Sequence, residues 1–258
     1  MEKAWLLVDN SSGDFIIVLA TKYPKFHFVM NKSREPAQVK DVKCSNPKLL
    51  LDYSIFYAMR ETMKKSEQEW ASEVAGIIEA KLNEKFPLLH LSAKTGINLI
   101  YANEILEYVA DNPPEIKKME FETDILIFQK SDDGKKWKPR VVIETKIEGV
   151  TTHDAITYSK KAAQHKSVHP YLRYGIFIGK IDHIPGRLFR HGENFDFMVS
   201  WTDYTPNKFE LDGLIKVIEL EIEASIKLEE ILYDTRNKAR AKYFILHRPL
   251  ELHPAKQS

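Results

Sequence analysis

The chain has 258 residues, of which 43% are hydrophobic and 29% charged, as is ordinary for a folded globular protein, and no apolar run approaches the ~20 residues that cross a membrane. A formal net charge of +1 excludes the overall basic excess of a strongly basic nucleic-acid-binding domain. The single cysteine, Cys44, excludes an internal disulfide and a cysteine-rich zinc site, so we expect a reducing, cytoplasmic compartment.

The first part of the chain has the pattern of a small β-rich segment. Short apolar runs predict three strands, at 4–8, 14–20 and 26–30. A polar, proline-containing stretch at 31–48 predicts a loop or linker. We therefore expect residues 1–48 to form an N-terminal extension, within the same domain or beside it, and residues 49–258 to form the main domain.

Helical periodicity characterises the next section. Helices are predicted at 49–65 and 67–86, and a third at 97–110, where Asn112-Pro113-Pro114 would end it. The second of these helices has one apolar stripe, formed by Trp70, Val74, Ile77, Ile78 and Leu82.

The remaining sequence has the pattern of a sheet with helices between and after its strands. Strands are predicted at 121–128, 140–147, 174–179 and 195–201. Asp133-Gly134 marks a hairpin turn between the first two. Helices are predicted from Thr151 or Thr152 to about residue 166, and from 212 to 234. This order predicts an α/β domain with a mixed central β-sheet flanked by helices.

The two strands of the predicted hairpin contain a group of charged residues. Antiparallel pairing would bring Asp124, at the start of one strand, beside Glu144, near the end of the next. Lys146 is two residues further on and so shares a face with Glu144. Two carboxylates are suitable ligands for Mg²⁺, or for Mn²⁺ in its place, and the backbone carbonyl of Thr145 could complete the metal shell. A nearby ammonium can orient or help deprotonate a metal-activated water.

The order of Asp124, a hairpin, and then Glu144-Thr145-Lys146 resembles the PD-(D/E)XK nuclease superfamily, over roughly residues 66–180. Thr123 stands where the family has proline. The resemblance implies a restriction-endonuclease-like core and a Mg²⁺-dependent DNA endonuclease, most like a type II restriction enzyme. It implies that Asp124 and Glu144 hold the metal and that Lys146 serves the attacking water.

The resemblance also implies residues outside this group. The family often has a glutamate on the helix before the hairpin, and Glu73, which borders the apolar stripe, is preferred here to Glu79. Basic and polar residues of the hairpin and the following helix can contact DNA phosphates, and a tryptophan at the hairpin tip can stack on a base or simply pack across the hairpin. The candidates for DNA binding are Lys136, Trp137, Lys138, Lys160, Lys161 and Gln164.

Other interpretations of the same residues remain open. A Glu-x-Lys pair on a strand is often a structural ion pair. Repair and mobile-element nucleases share the motif, and a catalytically inactive nucleic-acid-binding module could share the fold. We expect DNA as the partner and no membrane, and a homodimer would match the symmetry of a duplex cut on both strands.

Overall fold

The computed structural model describes residues 65–233 and, before them, the backbone of three strands. The chain divides into two compact units, Met1–Met63 and Lys64–Ser258. In the first, three strands form an antiparallel sheet in chain order, which confirms the strands predicted there: β1 (Ala4–Val8), β2 (Phe15–Leu19) and β3 (His27–Met30). The helix predicted at 49–65 lies, but for its last residue, outside the described residues.

The second unit alternates helices and strands. Its strands are β4 (Leu91–Lys94), β5 (Ile97–Glu107), β6 (Glu115–Thr123), β7 (Ile125–Lys130), β8 (Trp137–Ile147), β9 (Arg173–Gly179) and β10 (Phe197–Trp201). Its helices within the described range are α1 (Glu67–Lys85), α2 (Thr152–Val168), α3 (Gly186–His191) and α4 (Lys208–Tyr233). Capping boxes at Ser66 and Thr151 begin α1 and α2, since each side chain accepts a hydrogen bond from a backbone N–H in the first turn.

Five of these strands form a mixed sheet in the order β10-β9-β8-β7-β4. The pairs β4–β7 and β7–β8 are antiparallel, whereas β8–β9 and β9–β10 are parallel. The parallel step from β8 to β9 needs a crossover, which α2 supplies. The predicted α/β class with a mixed central sheet is confirmed.

Both faces of the sheet are covered, which explains why its central strands are almost continuously apolar. On one face, Trp70 and Ile78 of α1 and Leu214 of α4 pack with alternate sheet residues such as Ile125 and Phe177. The intervening sheet residues face the other way and pack against α2 in two further clusters. The end of β8 therefore lies between α1 and α2, and its side chains point alternately towards each.

The region after β4 departs from the sequence-based expectation. The prediction of a helix at 97–110 was wrong. In its place, β5 pairs with β6 in a two-stranded antiparallel sheet that is separate from the main sheet. The spacing of apolar residues there fits a helix as well as a strand, and contacts across the strand pair favour the strand. One such contact is the stack of the Tyr101 ring on that of Phe121, with centroids 3.8 Å apart. The single strand predicted at 121–128 is broken at Asp124, which lies between β6 and β7.

Candidate active site

Asp124 and Glu144 adjoin each other across the β7–β8 hairpin. Ile125 pairs with Ile143 in the antiparallel register, so one step outward places Asp124 next to Glu144. Oδ2 of Asp124 accepts hydrogen bonds from Thr145, from the backbone N–H at 2.7 Å and from the hydroxyl at 3.1 Å. Asp124 therefore lies beside the Glu144–Thr145 stretch of β8, in the register that hairpin pairing predicts.

The carboxylate of Glu144 is buried, with 1% of the residue exposed. Its Oε1 accepts hydrogen bonds from the Lys161 ammonium at 2.8 Å and from the Tyr174 hydroxyl. Burial raises the pKa of Glu144, the positive charge of Lys161 opposes that rise, and the negative charge of Asp124 adds to it. The two carboxylates thus lie within electrostatic reach of each other.

Lys146 lies on the same side of the sheet as Glu144, as predicted, because both side chains contact α2. Its ammonium is 5.2 Å from the ring centroid of Tyr158 and 2.9 Å from Oε2 of Glu67. Oε1 of Glu67 accepts a second hydrogen bond from the backbone N–H of Ile147 at 3.2 Å. Burial works against the charged form, but hydrogen bonds with Tyr158 and Glu67 outweigh it and hold the pKa of Lys146 above its ordinary value. Lys146 is therefore a cation at neutral pH.

A cavity of about 250 Å³ opens beside Asp124 and Thr145, and Glu144 and Lys146 are not among the residues that line it. Its walls come from the first turns of α1, the β4–β5 turn and the ends of β6 and β8, and they include Glu67, Asp124 and Thr145. Glu122, which stands two residues before Asp124, also lines it. The acidic walls favour a cation in the cavity.

Each of the two carboxylates has one oxygen held by the protein and one that is not. Asp124 Oδ1 and Glu144 Oε2 receive no hydrogen bond from the residues that the structure describes. Within residues 65–233, no group of three or more His, Cys, Asp or Glu side chains is placed to hold a metal ion. Mg²⁺ commonly binds through only one or two carboxylates and keeps waters or phosphate oxygens as its other ligands. The donor set has the chemistry of that kind of site.

The acid on α1 that contacts Lys146 is Glu67, which was not predicted from the sequence. Glu73 is 53% exposed and pairs with Lys65, and Glu79 pairs with Lys94 at 2.8 Å. The signal for Glu67 was its position one turn before Trp70, in line with the buried stripe of the helix.

The candidate DNA contacts on the hairpin differ in their surroundings. Lys136 is exposed at the tip. Lys138 pairs with Glu229 of α4. Trp137 is 45% exposed, and its ring centroid is 5.3 Å from that of Phe128, so it packs partly across the hairpin.

The candidates on α2 point in different directions. Lys160 is exposed, and Gln164 is half-buried. Lys161 turns inward to Glu144 rather than outward to solvent. Of these three, Lys160 has the exposed position expected of a residue that binds a DNA phosphate.

No protein-family model matches the chain, and no curated protein is similar to it in sequence. In the part of the chain described, no helix is both long and apolar enough to cross a membrane. The functional assignment therefore depends on the geometry and chemistry of the residues themselves.

Proposed function

We propose that this chain is a Mg²⁺-dependent DNA endonuclease of the PD-(D/E)XK type, most like a type II restriction enzyme, with a restriction-endonuclease-like core. The observation that supports this most is the strand register that places Asp124 beside Glu144, with Lys146 on the same face as Glu144 and with Asp124 lining an acidic cavity. A structural ion pair would explain Lys146 and Glu67, but it would not explain two neighbouring carboxylates that each keep one oxygen without a hydrogen bond from the described residues.

Asp124, Glu144 and the backbone carbonyl of Thr145 would hold the metal. Mg²⁺, or Mn²⁺ in its place, supplies a water of lowered pKa and offsets negative charge that develops at phosphorus. Thr145 fixes Asp124 through two hydrogen bonds, so that carboxylate does not need to reorganise before it binds a cation.

Lys146 acts as a hydrogen-bond donor. Contacts with Glu67 and Tyr158 keep its ammonium charged. A charged ammonium cannot take a proton from water, so Lys146 orients the attacking water and stabilises the charge of the phosphoryl oxygens.

The substrate would be duplex DNA in the cytoplasm. Lys136 and Lys160 are exposed and available for phosphate contacts, which position the backbone without reading sequence. Cleavage of both strands would use a homodimer, since a two-fold axis matches duplex symmetry.

A plasmid assay tests the proposal. Supercoiled DNA is incubated with Mg²⁺ and the full chain, alongside Asp124→Asn and Lys146→Met. Glu73→Gln is the matched control, because Glu73 is an exposed acid on α1 outside the site. We expect cleavage by wild type and Glu73→Gln, a loss of at least ~100-fold in both site variants, and no cleavage in EDTA.

Three other outcomes would contradict the proposal in different ways. DNA binding without cleavage would favour an inactive nucleic-acid-binding module. Equal cleavage by Asp124→Asn and wild type would place the active site elsewhere. Degradation to nucleotides, without discrete fragments, would favour a repair or mobile-element nuclease over a restriction enzyme.

A further inference from the structure

We infer that Lys161 is a positioning residue of this site: it holds one oxygen of Glu144 so that the other is presented to the metal. This inference rests on the proposed function. Lys161 lies in α2, seventeen residues beyond Glu144 in the sequence and in direct contact with it.

The ammonium of Lys161 is held by two acceptors and an aromatic ring. It is 2.8 Å from Glu144 Oε1, 2.9 Å from the backbone oxygen of Glu122, and 5.6 Å from the ring centroid of Phe121. Only 15% of its side chain is exposed. A lysine held in this way is not free to follow a DNA phosphate at the surface.

Lys161 and the Tyr174 hydroxyl bind the same oxygen of Glu144, Oε1. That oxygen accepts two hydrogen bonds, while Oε2 receives none from the described residues. Thr145 does the same for Asp124, where both hydrogen bonds fall on Oδ2. Carboxylates that bind metals are commonly fixed by such outer hydrogen bonds, which orient the free oxygen.

Because the Glu144 carboxylate is buried, it needs the positive charge of Lys161 as well as the hydrogen bond that Lys161 donates. Glu144 is 1% exposed and lies beside a second carboxylate, a placement that disfavours its negative charge. Lys161 supplies a paired cation from the protein itself, and removing one partner of a buried ion pair leaves the other uncompensated. Lys161 therefore fixes both the orientation and the charge of Glu144.

Metal affinity, measured without DNA, tests this inference. Mn²⁺ binding is titrated by calorimetry in wild type, Lys161→Met and Lys161→Arg, and thermal melting confirms that each variant is folded. The matched control is Lys160→Met, which removes the adjacent, exposed lysine of the same helix. Asp124→Asn identifies the binding that belongs to the site.

We expect Lys161→Met to weaken Mn²⁺ binding by ~10- to 100-fold, as loss of an outer-shell partner typically does. Lys160→Met should stay within about twofold of wild type, and Lys161→Arg, which keeps a charged donor, should recover part of the loss. If Lys161→Met melts early, Lys161→Gln, which keeps a donor without the charge, takes its place with the same expectation.

Two results separate the inference from the proposed function. Mn²⁺ binding by Lys161→Met as tight as wild type, or tighter, overturns the inference alone, and the tighter result would make Lys161 a competitor of the metal. A wild-type chain that binds Mn²⁺ no better than Asp124→Asn contradicts the proposed function, and the inference falls with it.

Discussion

Replacing the buried His165 should change how the stability of this protein depends on pH. The imidazole is fully buried, and its ring stacks on that of Tyr174 with centroids 5.7 Å apart. Nδ1 donates to the backbone oxygen of Ile100 at 3.3 Å, and Nε2 is buried without a hydrogen-bond partner in the described part of the chain. Burial lowers the pKa of His165 from 6.5 to about 4, since a second proton on the ring would have no acceptor.

The sign and size of the effect follow from linkage. The unfolded chain binds a proton at this histidine as the pH falls through 6.5, whereas the folded chain does not until about pH 4. The stability contribution is therefore fully present above pH 6.5 and is lost as the pH falls towards 4. At ~1.4 kcal/mol per pKa unit, the complete loss is about 3 kcal/mol, of which about 2 kcal/mol falls between pH 7 and pH 4.5.

Urea unfolding at pH 7, 5.5 and 4.5 measures the effect. His165→Phe removes the titrating group and keeps an aromatic ring against Tyr174. Between pH 7 and pH 4.5, wild type should lose about 2 kcal/mol more than the variant. His153→Gln, a change at an exposed histidine of the same helix, should follow wild type. Equal pH dependence in wild type and His165→Phe would refute the assignment of this loss to His165.

Two further predictions concern packing and charge in the core, and denaturant unfolding measures both. Gly175→Ala should cost ~1–3 kcal/mol of stability, because the added Cβ would lie 2.3 Å from the Phe197 ring. Gly76→Ala, which adds a Cβ in open space on α1, should instead stabilise the protein by ~0.5–1 kcal/mol. Equal effects at the two sites would contradict this reasoning. Arg173→Met should cost ~3–5 kcal/mol, because it removes a buried guanidinium that pairs with Glu221 at 2.6 Å and with Asp196 at 3.1 Å. A loss under ~1 kcal/mol would show that these pairs are dispensable.

The central strands and their helices could be predicted from sequence because local patterns determine them. Residues 174–179 are apolar throughout since both sheet faces are covered, and Thr151 has the capping pattern that begins α2. The hairpin at 97–123 could not be predicted in this way. Its apolar residues fit either period, and the strand that pairs with β5 begins eight residues after β5 ends.

The only part of the site that could be predicted from the sequence is the part that strand geometry determines by itself. The shared face of Glu144 and Lys146 follows from a period of two, and the approach of Asp124 follows from hairpin pairing. Glu67 contacts Lys146 and Lys161 contacts Glu144, from two helices on opposite faces of the sheet. Their contacts depend on how those helices pack, which no local pattern records.

The position of a bound metal tests the central claim most directly. Anomalous diffraction from crystals of the full chain soaked in Mn²⁺ locates the ion. We predict one Mn²⁺ in direct coordination, at about 2 Å, with Asp124 Oδ1 and Glu144 Oε2, the oxygens to which no described residue donates a hydrogen bond. Manganese bound elsewhere, with both carboxylates still held only by Thr145, Lys161 and Tyr174, would contradict the proposed active site.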